Sequence, residues 1–403
     1  MSETFDIARV RASYPALADG CAYLDGAAGT QVPVPVIDAI AAAYRGGIGN
    51  LGGAFAASAR SEAIVADCRQ AVADLVGGVA DGVIIGPSMT ALTYRMSAAL
   101  ARDWAPGDEI VVSRLDHDAN IRPWVQAAER AGAVVRWADF DTATGELPGA
   151  QYADLVTPRT RLVAVTAASN AIGTRPDVPA IAAAAHAAGA LCYVDGVHAT
   201  PHMPVDMAAL GADFYATSAY KWAGPHLAFV VAAPALLETL RPDKLLPSPD
   251  EVPHRFERGT LPFADMAGVT AAVEHLAGFA DPWPGSRRQR LLASMAAVEA
   301  YEMSLFARLL DGLGGMSGVT LHGKAARRAP TAFFSVAGFE PRAVAGHLAS
   351  RGVNVWNGNN YAYELCQVLG LHPAGAVRAG IVHYNDDSDV DRLLSGVAEL
   401  AVG

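Results

Sequence analysis

The sequence predicts an α/β fold, with a mostly parallel seven-stranded sheet in a large domain and a smaller α+β domain towards the C-terminus. The chain has 403 residues, of which 52% are hydrophobic, and this is enough for a large core and two domains. Short apolar runs alternate with alanine-rich helical runs through its first part. After about residue 231 this alternation stops, which indicates a second kind of domain.

Seven short apolar runs predict the strands of the large sheet, at 83–85, 109–112, 134–137, 162–165, 191–194, 214–217 and 228–231. Between them, helical periodicity predicts helices at 91–101, 124–131 and 178–188. Strands that alternate with helices form βαβ units. We therefore expect a mostly parallel sheet that is covered on both faces.

The last part of the chain predicts the smaller domain. Residues 241–253 are rich in proline and charge and indicate a loop. A long helix at 287–313, after the prolines at 282 and 284, is followed by strands at 332–336, 352–356 and 376–382 and by helices at 341–350, 363–369 and 388–400. We expect an N-terminal segment (1–20) packed on the small domain, a large domain (21–265) and the small domain (266–403).

Composition excludes several classes of protein. The formal net charge is -11 and no basic stripe is visible, which argues against nucleic-acid binding. Four well-separated cysteines without a CxxC pair argue against a zinc knuckle and a disulfide-stapled secreted domain. No apolar run reaches the ~18 residues of a membrane span, and the first residues lack a signal-peptide core. We expect a cytoplasmic protein.

Lysine 221 is one of only three lysines, because this chain obtains nearly all its positive charge from arginine. It follows the predicted strand at 214–217 and lies between a tyrosine and a tryptophan. Partial desolvation there would lower the pKa of its amine and make the neutral nucleophile available. A surface lysine with a buried stem is the alternative.

Asp195 ends another predicted strand, at the edge where α/β sheets usually bind ligands. Taken alone, it could equally be an aspartate that caps a turn. A strand-end aspartate followed 26 residues later by a strand-end lysine suits pyridoxal phosphate (PLP). In such a site Lys221 would form the Schiff base, and Asp195 would keep the pyridinium nitrogen protonated.

Three further segments suit such a cofactor. Residues 86–90 (GPSMT) follow a strand and open a helix, whose free amides and dipole bind a phosphate with help from the Ser88 and Thr90 hydroxyls. His117, after the strand at 109–112, could stack on the ring, and Asn170 could bond to its phenolic oxygen. An ordinary helix cap and plain loop residues are the alternatives.

The order of motifs resembles a known family. YLDGAA (23–28), GPSMT, DHDAN (116–120), ASNAIGT (168–174), VDGVH (194–198) and SAYKWAGPH (218–226) follow one another, and VRAG (377–380) and Tyr384-Asn385 come near the end. The sequence thus resembles the class V aminotransferase family of fold-type I PLP enzymes, in its cysteine desulfurase-like branch. The resemblance covers nearly the whole chain.

This resemblance implies the fold-type I architecture and roles for individual residues. It implies Lys221 as the Schiff-base lysine, Asp195 as the pyridinium partner, His117 on the ring and Asn170 near the phenolic oxygen. His198 stands near that oxygen where the family usually has glutamine. The positions that match the phosphate site are Ser88, Met89, Thr90, Ser218 and Tyr220, the last in place of a usual histidine.

The resemblance also implies a homodimer that binds an amino acid. Thr260, in the Gly259-Thr260 loop, matches a threonine that reaches the phosphate of the partner subunit, so the active sites would lie at the subunit interface. Arg378 matches the arginine that pairs with the substrate α-carboxylate, for which a bidentate guanidinium is well suited.

Two segments depart from the family pattern. In the loop at 355–362, Tyr361 stands where a desulfurase has its nucleophilic cysteine. Cys366 lies in the predicted helix at 363–369, where we expect a packed, unreactive thiol. Gly52 and Gly53 offer no side chains where related desulfurases have basic and histidine residues. We expect a changed substrate pocket, with Tyr361, Trp356, His226 and Tyr220 as candidates for its lining.

The leading hypothesis is a PLP-dependent lyase that acts on an α-amino acid through a carbanion, by C–S cleavage or another β- or γ-elimination, with Lys221 as the base. Decarboxylative aldol chemistry and epimerisation are alternatives, and transamination is less favoured. A non-catalytic PLP-fold scaffold is the alternative of another class. No metal site is expected, because Pro201 separates His198 from His202 and no cysteine or carboxylate cluster joins them.

Overall fold

A seven-stranded sheet lies at the centre of the structure, a computed structural model that describes residues 5–280 and 284–401. Strand β1 (Ala22–Tyr23) precedes it. The sheet consists of β2 (Val83–Gly86), β3 (Glu109–Ser113), β4 (Val134–Ala138), β5 (Thr160–Thr166), β6 (Leu191–Asp195), β7 (Phe214–Ser218) and β8 (Ala228–Ala232). Its order is β2-β8-β7-β6-β5-β3-β4, and only β8 runs against its neighbours. The predicted mostly parallel sheet is confirmed.

The parallel register brings polar strand ends together. Thr166, the last residue of β5, is opposite Asp195, the last residue of β6, and Asp195 is opposite Ala216 of β7. Because parallel strands end at the same edge, the segments that follow β3, β5, β6 and β7 meet there. This edge positions the site described below.

Helices cover both faces of the sheet. The helices in this part of the chain are α1 (Ile7–Ala12), α2 (Val34–Gly46), α3 (Ala56–Val76), α4 (Met89–Leu100), α5 (Arg122–Ala131), α6 (Tyr152–Leu155), α7 (Val178–Ala187), α8 (Pro234–Thr239) and α9 (Phe263–Ala277). Successive residues of a strand point to opposite faces, so Ile110 and Val112 belong to the same hydrophobic cluster as Trp124 of α5, whereas Val111 belongs to the cluster that contains Val72 of α3. The three predicted helices correspond to α4, α5 and α7. Helices α1, α2, α3, α6, α8 and α9 were not predicted.

A four-stranded antiparallel sheet, ordered β12-β13-β10-β9, forms the C-terminal part of the structure. The elements there are helices α10 (Arg287–Gly314), α11 (Pro341–Ala349), α12 (Tyr363–Val368) and α13 (Asp387–Ala401), with strands β9 (Val319–His322), β10 (Thr331–Val336), β11 (Val353–Asn354), β12 (Trp356–Gly358) and β13 (Ala376–Gly380). The prediction of one strand at 352–356 is wrong, because β11 pairs with β1 and only β12 joins this sheet.

The N-terminal segment contacts residues beyond 266. The Arg9 guanidinium donates to the carbonyls of Gly278 and Phe279, and the Tyr14 hydroxyl bonds to His383. The predicted boundary at 265/266 falls inside α9, so the division into domains stays a prediction. Residues 1–4, 281–283 and 402–403, which include Pro282 and the ends of two predicted domains, lie outside the described residues.

Across the two described ranges, no helix combines the length and the apolar character that crossing a membrane requires.

Candidate active site

Two adjoining cavities lie at the carboxyl edge of the large sheet. The inner one has a volume of about 70 Å³ and the outer one about 810 Å³. They share six lining residues: Thr90, His117, Ala119, Asn170, Tyr220 and Lys221. Ten of the eleven predicted cofactor residues line the inner cavity: Ser88, Met89, Thr90, His117, Asn170, Asp195, His198, Ser218, Tyr220 and Lys221.

Asp195 and Lys221 are buried together in the inner cavity. Asp195 is the last residue of β6, and its Oδ1 accepts a hydrogen bond from the Val197 amide at 2.9 Å. Burial lowers the pKa of Lys221, as does the charge of Arg378, and the carboxylate of Asp195 opposes this shift. Burial also raises the pKa of Asp195, against the Val197 hydrogen bond and the Lys221 charge. The cavity therefore favours a neutral amine at Lys221.

His117 is a neutral imidazole on the wall shared by both cavities. Burial, together with the charges of Lys221 and Arg378, lowers the pKa of His117 to about 3. Its Nδ1 accepts a hydrogen bond from the Ala119 amide at 3.0 Å. The ring stacks on Tyr361, with ring centroids 5.3 Å apart and an angle of 23° between the planes. A flat, uncharged ring is thus presented to the cavity.

A buried network around Asp116 holds the turn that carries His117. Asp116 accepts hydrogen bonds from the Ser113 hydroxyl at 2.5 Å and from the Asn120 amide at 2.6 Å, and Asn120 accepts one from the Trp124 indole at 3.1 Å. Burial raises the pKa of Asp116 to about 7. The sequence analysis did not identify this role, although the i, i+4 spacing within DHDAN could have suggested the bond to Asn120.

The N-terminus of α4 provides an anion site. Ser88 is the N-cap, and its hydroxyl accepts from the Ala91 amide at 3.1 Å. The first amides of a helix, here those of Met89 and Thr90, have no partner within the helix. With the helix dipole they favour a negative group, and Ser218 and Tyr220 line the same cavity.

Three buried side chains present polar atoms that have no hydrogen-bond partner among the described residues. These atoms are Asn170 Oδ1, His198 Nδ1 and Arg378 Nε. The rest of each side chain is anchored: Arg378 Nη1 donates to the Asn170 carbonyl at 2.8 Å, Asn170 Nδ2 donates to the Asn360 carbonyl at 2.7 Å, and His198 Nε2 bonds to Thr331 at 2.8 Å. Unpaired buried polar atoms are costly, so a polar ligand fits here.

The loop at 359–362 forms a wall of the outer cavity. Asn360 and Tyr361 have φ angles of 52° and 59°, in the left-handed region that is strained for residues with a side chain. The Asp118 amide donates to the Tyr361 carbonyl at 2.8 Å, and the Tyr361 side chain is 72% exposed. Trp356 lines the same cavity and is 50% exposed.

Cys366 is fully buried in α12, as the sequence predicted. Its Sγ lies 4.0 Å from the Asn359 carbonyl, and burial raises the pKa of the thiol to about 11. None of the chain's four cysteines, all of them described, lines either cavity.

Two predicted site residues lie outside both cavities. His226 is exposed and stacks on Tyr220, with ring centroids 4.9 Å apart and nearly parallel planes. Thr260 is exposed beyond the cavity walls of this single chain. Their predicted roles in substrate binding and at the partner's phosphate stay predictions.

Comparison with known proteins shows similarity to one enzyme family over nearly the whole chain. Residues 22–393 match the family described as aminotransferase class-V. An uncharacterized protein from Mycobacterium tuberculosis, MT3887, is 35% identical over 98% of this chain and 99% of its own. A "Probable cysteine desulfurase" from Pseudomonas putida is 32% identical over 96% of each chain. The crystal structure of the Escherichia coli cysteine desulfurase CsdA superposes with a TM-score of 0.87, at 29% identity over 99% of both chains, and confirms the predicted fold type.

Proposed function

The chain belongs to the class V aminotransferase family, which is PLP-dependent, and from this premise we propose that it is a PLP-dependent lyase that eliminates a group from Cβ of an α-amino acid. Its cysteine desulfurase-like relatives make a C–S bond the first candidate for cleavage. The observation that carries the proposal is one small cavity that holds Lys221 and Asp195, with no cysteine on its walls.

The residues of the inner cavity fit PLP. Lys221 would hold the cofactor covalently through its amine, Asp195 would face the ring nitrogen, and His117 would face the ring. The α4 amides, Ser88, Thr90, Ser218 and Tyr220 would bind the phosphate. The unpartnered Asn170 Oδ1 and His198 Nδ1 would lie at the phenolic oxygen. When bound, PLP takes up the electron pair that is left when a bond to Cα breaks.

The side chains around the outer cavity bind and deprotonate the substrate. Arg378 has an unpartnered Nε beside the cavity, and its guanidinium suits the α-carboxylate. Lys221, whose pKa is lowered by burial, supplies a neutral amine as the base at Cα. Asp195, which is 4% exposed, would hold a negative charge towards the ring nitrogen of the bound cofactor.

The surroundings of the cysteines support the proposal of elimination rather than transfer of sulfur to the protein. A persulfide forms on a thiolate, but burial raises the pKa of Cys366 to about 11 and its side chain is not exposed. The phenol of Tyr361, which occupies the loop, cannot accept sulfur. In the balanced reaction, cysteine and water give pyruvate, ammonia and hydrogen sulfide, and the Cα proton goes to Lys221.

The test incubates the PLP-loaded protein with L-cysteine and with other amino acids that carry a leaving group at Cβ. We expect pyruvate and sulfide from cysteine in equal amounts and no alanine, measured by mass spectrometry and sulfide assay. Lys221→Ala serves as the inactive control. Alanine with a protein-bound persulfide, or a product that has been decarboxylated or epimerised, would overturn the proposal.

A further inference from the structure

The part that His198 plays in the inner cavity depends on which of its two ring nitrogens carries a proton. A neutral imidazole has one N–H donor and one acceptor nitrogen, so the same ring can offer either to a ligand. The His198 ring lines the inner cavity and is 2% exposed, and its Nδ1 has no hydrogen-bond partner among the described residues. Whether Nδ1 is a donor or an acceptor is decided by the partner of the other nitrogen, Nε2.

The imidazole of His198 is neutral. Burial holds the pKa of His198 well below its usual value. The charges of His202, Lys221 and Arg378 lower this pKa further. Within the described ranges, the ring bonds to a hydroxyl and to no carboxylate, which is the partner that would favour a charged ring. Only one of the two ring nitrogens therefore carries a proton.

Nε2 of His198 bonds to the hydroxyl of Thr331 at 2.8 Å. Thr331 is the first residue of β10 and is fully buried, and its hydroxyl has no second hydrogen-bond partner in the described part of the chain. If Nε2 carried the ring proton, the hydroxyl would accept it and its own hydrogen would be buried without an acceptor, which is costly. If the hydroxyl donates to Nε2, its hydrogen is satisfied and the ring proton lies on Nδ1. The second arrangement is therefore favoured.

The surroundings of Thr331 and His198 fix the two groups in place. The Thr331 carbonyl accepts a hydrogen bond from Nη2 of Arg328 at 3.0 Å, and the Thr331 amide donates to the Ala329 carbonyl at 2.7 Å. The ring of His198 packs against the ring of His202, with centroids 5.0 Å apart and an angle of 72° between the planes. Thr331 itself lines neither cavity, so it can act on a ligand there only through His198.

We propose that Thr331 is a positioning residue that fixes the ring proton of His198 on Nδ1, so that the inner cavity contains an N–H donor at this point. A donor suits an anionic oxygen of a ligand, whereas an acceptor nitrogen would repel it. The inference rests on the proposed function in one respect: Nδ1 then lies at the phenolic oxygen of PLP, whose negative charge it stabilises. One hydroxyl on a strand of the C-terminal sheet thereby acts on the cofactor.

The first test locates the ring protons by NMR of the ¹⁵N-histidine-labelled full chain without cofactor. The signals of His198 are assigned by their loss in His198→Gln. We expect the wild-type ring to carry its proton on Nδ1 alone, and Thr331→Val to give a mixture of the two tautomers. Thr331→Ser, which restores the hydroxyl, should return the wild-type pattern.

Thr174→Val is the matched control for this test. Thr174 is also fully buried, but its hydroxyl donates to the Gly145 carbonyl at 2.8 Å and it lines neither cavity. Its substitution should leave the His198 signals unchanged. A wild-type proton on Nε2, wholly or in part, would overturn the proposal, as would an unchanged pattern in a folded Thr331→Val protein. If Thr331→Val does not fold, Thr331→Ala carries the same expectation, and the wild-type pattern alone can still refute the proposal.

The holoenzyme links the tautomer to the cofactor. A donor at the phenolic oxygen favours the form in which that oxygen is fully negative, so Thr331→Val should raise the pH midpoint of the absorbance change of Lys221-bound PLP by about half a unit. This shift should vanish in a His198→Gln background, because an amide keeps its donor without help from Thr331. No shift in Thr331→Val, or the same shift in both backgrounds, would contradict an action through His198. A protein that binds no PLP would sink the proposed function alone, because the tautomer is measured without the cofactor.

Discussion

Burial distinguishes Lys221 from the chain's other two lysines, Lys244 and Lys324. Lys244 pairs with the carboxylate of Asp250 near the surface, whereas Lys221 is 6% exposed and lines both cavities. The purified holoenzyme should be yellow, and borohydride should fix the cofactor to Lys221, as seen by peptide mass mapping. Lys221→Ala should abolish turnover, and Lys244→Ala should not. A pyridoxyl group on Lys244 or Lys324 would contradict the assignment.

Asp195 should contribute through its charge. Asp195→Ala removes the negative partner of the ring nitrogen, and the loss of one preorganised electrostatic contact costs about 3 kcal/mol, or about 10²-fold in kcat. Steady-state kinetics of the elimination reaction measures this loss. Asp213→Asn is the control, since that carboxylate bonds to the Cys192 amide and lines neither cavity. Near-wild-type activity in Asp195→Ala would refute the role.

Residue types at strand ends were enough to locate the candidate cofactor residues, but not the groups behind them. Asp195 ends a strand, Lys221 and His117 each follow one, and these positions are visible in the sequence. The pair of His202 and Glu302 joins residues 100 positions apart, on a turn and on α10. No periodicity or local motif indicates a contact over such a distance, so only the fold reveals it.

At the scale of elements, the proposal of elimination rather than persulfide chemistry rests on the loop at 355–362 and on helix α12. Cys366→Ser changes a thiol that is buried in α12, so pyruvate and sulfide formation from cysteine should stay within about twofold of wild type. Cyanolysis and intact-mass measurements should show no bound persulfide in either protein. Cys192→Ser, in β6, is a control for the general effect of a buried serine. Loss of a wild-type persulfide in Cys366→Ser would identify Cys366 as the nucleophile.

The capping box of α10 should contribute measurably to stability. The Ser286 hydroxyl accepts from the Gln289 amide, and the Gln289 side chain accepts from the Ser286 amide. Ser286→Ala should lower the free energy of unfolding by about 1 kcal/mol, measured by urea denaturation. Ser304→Ala, at an exposed position within the same helix, should leave it unchanged or slightly higher. An equal loss in both variants would contradict the cap.

The strands of the large sheet were predictable from local pattern, whereas elements that are fixed by tertiary pairing were not. The seven strands of the large sheet were predicted because each is a short, continuous apolar run. The run at 352–356 looks the same, yet Val353–Asn354 pairs with β1 and Trp356–Gly358 with β13. Helix α9 is so apolar along its length that it shows little helical period. In both cases tertiary contacts, rather than the local sequence pattern, determine the secondary structure.

At the scale of the whole molecule, the order of motifs along the chain was enough to predict the fold. The motifs follow parallel strands, and parallel strands end at the same edge of the sheet. Motifs that are more than a hundred residues apart, such as those with Ser88 and Lys221, therefore meet in one cavity. Within a single chain, Thr260 is the one predicted cofactor residue that does not line the inner cavity. It belongs to an exposed segment with Arg258 and Gly259, while ten other predicted cofactor residues lie together.

Thr260 should therefore complete the site of a second subunit. We expect a dimer by sedimentation, and a Thr260→Ala protein that binds PLP about tenfold more weakly, for the loss of one hydrogen bond to a charged phosphate, about 1.5 kcal/mol. Mixed dimers of Thr260→Ala and Lys221→Ala subunits decide the geometry. If Thr260 acts across the interface, one site has both residues intact and binds PLP with wild-type affinity. A fully active monomer, or mixed dimers that stay defective, would show that Thr260 does not act in the partner's site.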